Sequence, residues 1–133
     1  MTPHHTPVAD ALSAEYWQGT RERKLMIQRC TATGRPQWYP RAHSMHAPGA
    51  PVEWVEASGR GTLFTYSVIH RGNGTTPTPY ICAVIELEEG VLFTSTLRGI
   101  AEADIRIGMA LQVDYAEAGP DLVLPFFKPA DPA

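Results

Sequence analysis

The chain is expected to be all-β, a small closed or partly open barrel with a short helical lead-in, and three observations predict this. Five or six segments of strand composition fall within about 70 residues of the C-terminal part. The twelve prolines and eleven glycines gather at the N-terminus, in 36–51, in 71–79 and in the tail, the rhythm of short strands joined by turns. Within the strand segments, side chains suited to a barrel wall alternate in period two.

Residues 1–8 are expected to be a disordered leader. From Ala9 to about Glu22 the pattern is helical, with Leu12 and Tyr16 on one face, Trp17 beside them, and Asp10 or Ser13 placed to cap the start. Lys24–Arg29 reads as a strand that closes a first unit of residues 9–29 and leads into Cys30. Residues 30–51 form a turn-rich middle, and 52–130 the barrel. Barrel strands are expected at 52–57, 62–70, 80–88, 91–97, 110–116 and 122–127. Glu89-Gly90 is a hairpin turn, 71–79 a loop, 104–109 a short connection, and Ala118–Asp121 a final turn. The interior of so small a barrel is filled by side chains and needs no ligand.

A chain of 133 residues accommodates one domain, or one with a small appendage. No apolar run approaches the roughly 18 residues that span a bilayer, and the N-terminus lacks a basic region followed by an apolar core, so a cytoplasmic location is expected. The net charge of −3 argues against a dedicated nucleic-acid binder, although Arg21, Arg23, Lys24 and Arg29 cluster early. Cys82 lies in an apolar strand and reads as a buried small hydrophobe. A disulfide to Cys30 is not expected in a reducing compartment.

Catalytic patterns are absent: no G-x-S-x-G, no readable Ser/His/Asp spacing and no phosphate-cradling glycine loop. Glu86, Glu88 and Glu89 read as a solvated strand face, and His70 as a strand terminus. Cys30–Ala47 has the layout of a small zinc ribbon, two knuckles separated by a short hairpin, yet only Cys30 stands where a thiolate would. A tetrahedral zinc site needs four sulfur or imidazole donors.

Several stretches together resemble one family. They are Tyr16-Trp17, Leu25–Cys30, Tyr39-Pro40-Arg41, Glu53–Thr62 with Ser58-Gly59-Arg60-Gly61, Phe64–Arg71, Val84–Gly90, Ile107-Gly108-Met109 and Leu124–Pro129. In this order they resemble the bacterial and archaeal OB-fold family with an N-terminal rubredoxin-like zinc ribbon, a domain of unknown function that is acyl-CoA-associated. The resemblance implies a five-stranded OB barrel behind a helix and a degenerate ribbon. Aligned on Cys30, Gly34 and Pro40-Arg41, the ligand positions fall at Cys30, Thr33, Ser44 and Ala47, which implies no zinc. A one-residue slip would instead offer Cys30, His43 and His46 as three ligands. Packing of Trp38, Tyr39 and Met45 on the barrel or a partner would then replace the metal's contribution to folding.

The resemblance further implies a non-catalytic accessory subunit of a thiolase-fold acyl-CoA enzyme, of the lipid-transfer-protein thiolase, aldolase or acyltransferase kind, with a hotdog-fold hydratase as a second associate. Its docking surface would comprise Trp38, Tyr39, Pro40, Arg41, Met45, Phe126 and Phe127, rich in the aromatic, Met and Arg residues that interfaces favour. Arg41, Arg60 and Arg71 are candidates to meet coenzyme A phosphates, the thioester being held together with the partner and no cofactor resident in the chain. Two other readings are a single-stranded nucleic-acid-binding OB domain, with Trp54, Phe64, Tyr66 and Tyr80 as stacking platforms, and a free-standing acyl-CoA enzyme.

Overall fold

Asp10 opens the helical lead-in. In the computed structural model, which describes residues 7–72 and 77–131, its carboxylate accepts from the backbone of Leu12 and Ser13 and from the Ser13 hydroxyl, at 2.8–3.1 Å. Helix α1 (Ala14–Arg21) follows, shorter than the sequence pattern suggests because Asp10–Ser13 is a capped turn. The leader expected at 1–8 lies outside the described residues except for Pro7 and Val8, as does the middle of the 71–79 loop.

Two sheets come next. β1 (Met26–Cys30), β2 (Pro36–Gln37) and β3 (Val52–Glu56) form a three-stranded antiparallel sheet in the order β2-β1-β3. β4 (Arg60–Ile69), β5 (Tyr80–Leu87), β6 (Leu92–Leu97), β7 (Ala110–Gly119) and β8 (Leu122–Pro129) close a barrel in the order β4-β5-β6-β8-β7. The sequence pattern had counted Val52–Ala57 as barrel; instead Met26–Cys30 pairs residue for residue with Glu56–Val52, and the barrel starts at Arg60. A strand's composition records that it is half-buried, not which sheet buries it.

Barrel closure comes through two contacts. β4 meets β7 at Arg60–Thr62. β6 meets β8 in parallel at Leu97–Phe127, reinforced by the Arg98 amide donating to the Phe127 carbonyl at 2.8 Å. Only a short 3-10 turn, Glu102–Asp104, sits between β6 and β7. At Gly61 the neighbouring strand leaves no room for a side chain: a Cβ there would lie 2.5 Å from the Glu86 carbonyl oxygen. A register shift between Leu63 and Thr65 turns Phe64 outward, leaving it 52% exposed.

The core is Leu63, Ala83, Ile85, Leu87, Phe93, Leu97, Leu111 and Phe127 from the barrel, continued by Tyr16, Leu25 and Ile27 from the lead-in. Aromatic rings carry that continuity: Tyr16 lies 5.1 Å from Trp38, Trp38 4.9 Å from Phe93, and Phe93 6.1 Å from Phe127. Cys82, read as buried, is only half-buried on β5.

Candidate functional site

The segment joining β1 to β3 is a ribbon in backbone. Cys30 ends β1 fully buried; its amide donates to the Arg35 carbonyl at 2.9 Å, and the Gly34 amide returns to the Cys30 carbonyl at 2.8 Å. The second knuckle is a turn of its own, with the Ser44 amide donating to the Ala50 carbonyl and the Ala50 amide to the Ala47 carbonyl, both at 3.0 Å. Gly34 and Gly49 complete the two turns at φ +73° and +76°, a region in which a side chain is strained.

The ligand positions converge without ligand chemistry. Cys30 Sγ accepts the Thr33 amide at 3.4 Å, and Ser44 Oγ accepts the amides of His46 and Ala47 at 2.9 and 3.1 Å. Hydrogen bonding from the Ser44 side chain, then from that of Thr33, brings the Cys30 thiol down to about 7, against the upward pull of its burial. One thiol, two hydroxyls and a methyl do not fit zinc. The slipped set fails too. His46 Nε2 donates to the Pro36 carbonyl at 2.9 Å, His43 is exposed, and no cluster of three metal-ligating side chains occurs among the described residues.

Two residues that the sequence pattern did not single out hold the loop between the knuckles. Gln28 on β1 and Gln37 on β2 are 2% and 1% exposed, and face each other across the β1–β2 ladder. Gln37 Nε2 donates to Gln28 Oε1 at 2.9 Å. Gln28 clasps Arg41, accepting its amide and donating to its carbonyl, both at 2.9 Å. Gln37 accepts the Met45 amide at 2.9 Å and donates to the His43 carbonyl at 3.3 Å. Both buried amides are thereby paired, as burial demands. The legible signal was that Gln28 shares a face of β1 with Cys30, opposite Ile27, and that Gln37 precedes a tryptophan in a two-residue strand.

The seven expected docking residues separate into three groups. Tyr39 and Met45 are 64% and 56% exposed, and Arg41 is exposed with no ion pair among the described residues. Trp38 and Phe126 are half-buried with faces already engaged: Trp38 by Tyr16 and Phe93, Phe126 by the Arg98 guanidinium 4.7 Å from its ring centre. Pro40 and Phe127 are buried, which corrects their assignment to a docking surface. Phe127 faces the barrel interior and its neighbour Phe126 the opposite side of β8, because successive strand residues alternate.

The arginines are not gathered either. Arg60 is paired with Glu88 at 3.2 Å, and Glu88 also accepts the Ser58 hydroxyl at 2.8 Å. Arg71 lies beyond the other end of β4, on the order of 30 Å along the strand from Arg60. One diphosphate cannot meet both. Arg41 is left as the candidate for an anion. His70 is exposed and no acid or base flanks it closely enough to hydrogen-bond among the described residues.

Beside Met45 runs a groove of about 350 Å³ between the ribbon and the β5–β6 hairpin, lined by Arg35, Pro36, Trp38, Met45, Glu89 and Leu92. Glu89 Oε2 accepts the Ser58 amide at 2.8 Å, while Oε1 is buried without a partner among the described residues.

Barrel order, parallel β6–β8 contact and an appended knuckled sheet together define an OB-fold protein carrying an N-terminal ribbon. Residues 17–47 match the family described as ChsH2, rubredoxin-like zinc ribbon domain, and residues 54–116 that described as ChsH2, C-terminal OB-fold domain. The chain belongs to this ChsH2-type family of ribbon-bearing OB-fold proteins. It is 35% identical over 95% of its length to a probable enoyl-CoA hydratase alpha subunit of Thermomonospora curvata, but spans only 40% of that relative. It is 29% identical to a DUF35 domain-containing scaffold protein of Methanocaldococcus jannaschii, covering 94% of it. Among solved structures, a chain of the Ltp2-ChsH2(DUF35) aldolase superposes with a TM-score of 0.86 at 34% identity, with 93% of this chain and 98% of that one covered. No helix among the described residues is long and apolar enough to cross a membrane.

Proposed function

We propose that this chain is a non-catalytic subunit that docks on a thiolase-fold acyl-CoA enzyme of the aldolase or acyltransferase kind. The observation that carries the reading is the likeness, over nearly the whole of both chains, to a chain of the Ltp2-ChsH2(DUF35) aldolase. The surface supports it. Tyr39, Arg41 and Met45 are exposed hot-spot residue types on a loop whose backbone is pinned from beneath, so little entropy is lost when a partner covers them. The adjoining groove offers half-apolar walls and the unpaired Glu89 oxygen, which a partner N–H would satisfy. Exposed and without an ion pair among the described residues, Arg41 is the residue we assign to an anionic group of the acyl-CoA held by the partner. The hydratase alpha subunits among its relatives support a hydratase acting on the same acyl-CoA as a second associate.

The test is purification of the tagged chain from its own cells, with mass spectrometry and subunit stoichiometry. A thiolase-fold protein at near-equal amount, lost on Tyr39→Ser with Met45→Ser, is the expected result. Recovery of the chain alone, or with single-stranded nucleic acid bound in a salt-dependent way, overturns the reading.

A further inference from the structure

We infer that this ribbon keeps the backbone of a four-ligand knuckle pair while hydrogen bonds do the metal's work, so that it folds and persists without zinc. The inference stands apart from the docking reading and concerns only what holds residues 30–51 in shape.

The argument runs atom by atom. A structural zinc joins two knuckles by bonding one pair of side chains from each. Of the four positions here, Ala47 carries no donor atom, and Thr33 Oγ1 accepts the Arg35 amide at 3.3 Å. Ser44 Oγ accepts two amides, which takes up both lone pairs of a hydroxyl and leaves none to offer a cation. Cys30 Sγ is fully buried and accepts the Thr33 amide. Each knuckle is thus closed by its own first residue.

What remains is the link between the knuckles, and the two buried glutamines supply it. Gln28 stands two residues before the first knuckle and Gln37 in the hairpin; bonded to each other, they reach the backbone of Arg41, His43 and Met45 across the second. Four hydrogen bonds to the backbone of Arg41, His43 and Met45 therefore cross the gap that a metal would bridge, and a fifth ties the two glutamines together. Trp38 adds an apolar anchor on Phe93. Without the clamp the Arg41 and Met45 amides would lose the partners they have here.

The experiment uses the whole untagged chain, expressed with zinc in the medium. Elemental analysis is expected to find less than about one zinc per ten chains, with a melting temperature unmoved by EDTA. Native-state hydrogen exchange is expected to protect the Arg41 and Met45 amides as strongly as those of β1, a reading taken on the unaltered chain and independent of how any variant folds. Gln37→Leu is expected to lower Tm by about 5 °C or more and to release those two amides. Thr33→Cys with Ser44→Cys and Ala47→Cys is expected to gain about one zinc per chain and to become sensitive to EDTA, since the backbone is already shaped for it. One zinc in the unaltered chain, a melting temperature lowered by EDTA, unprotected Arg41 and Met45 amides, or a four-cysteine variant that takes up no zinc would each overturn the inference.

Discussion

The barrel and the ribbon solve the same problem with different materials. The barrel is held by apolar volume: Leu63, Ile85, Leu87, Leu111 and Phe127 are each no more than 2% exposed, and any one touches several others. Its stability is spread over many interchangeable contacts. The ribbon offers little apolar surface to bury and relies on individually placed polar atoms, each with one or two partners. A volume-filled core tolerates a change of side chain if the space is refilled. A hydrogen-bonded clamp does not, because a buried polar atom that loses its partner pays the full cost of desolvation.

Variants that act on one region and not the other break this comparison. The largest effect is expected for Phe127→Ala, which empties the barrel's closing position and should cost about 3–5 kcal/mol, lowering the denaturant midpoint for the barrel and the ribbon together. Gly61→Ala comes next. The new methyl meets the Glu86 backbone oxygen and Ile85, neither a flexible chain end, and urea unfolding should report a loss of about 1–3 kcal/mol.

Gln28→Leu should cost a similar or smaller amount, about 1–3 kcal/mol, but with a different signature: hydrogen exchange should quicken at Arg41 and Met45 while β5 and β6 amides stay protected. If both regions loosened equally, the contrast between them would be wrong. Tyr39→Ser should leave stability within about 0.5 kcal/mol, since the ring is mostly in solvent, and weaken only partner binding.

The smallest effect is electrostatic and sharpens the barrel side. Hydrogen bonding from Lys128, and then from the Tyr115 amide, holds the Asp114 carboxyl below its ordinary value. Its folded pKa is thus the lower one, so the pair stabilises at pH above about 4 and that contribution is lost as pH falls through the folded value. Asp114→Asn should flatten the acid limb of the stability profile slightly, because both side chains of the pair are more than a third exposed.

Much of the barrel was legible because a strand writes itself in period two and its turns in Gly and Pro. Residues 80–88, 91–97 and 122–127 lie within two residues of β5, β6 and β8 as formed. The proposed docking site was only partly legible. Aromatic and arginine residues near the ribbon are visible in sequence, but exposure is not: Tyr39 and Pro40 are neighbours, one in solvent and the other buried. Phe126 and Phe127 read alike until the barrel puts one on each side of β8.

The sequence by itself determined the all-β class, the position of the strand segments from 80 onward, the family to which the chain belongs, and the residue types Thr33, Ser44 and Ala47 beside Cys30 in the ribbon. Those are properties of residue type and spacing along the chain, and they need no third dimension. Only the tertiary structure decided that Val52–Glu56 belongs to the ribbon's sheet, that Arg60 and Arg71 stand apart, and that Gln28 and Gln37 meet. Each of these depends on which segments the chain brings together at long range. A glutamine in a strand is an ordinary surface residue until another strand covers it, and then its hydrogen bonds decide the shape of everything it holds.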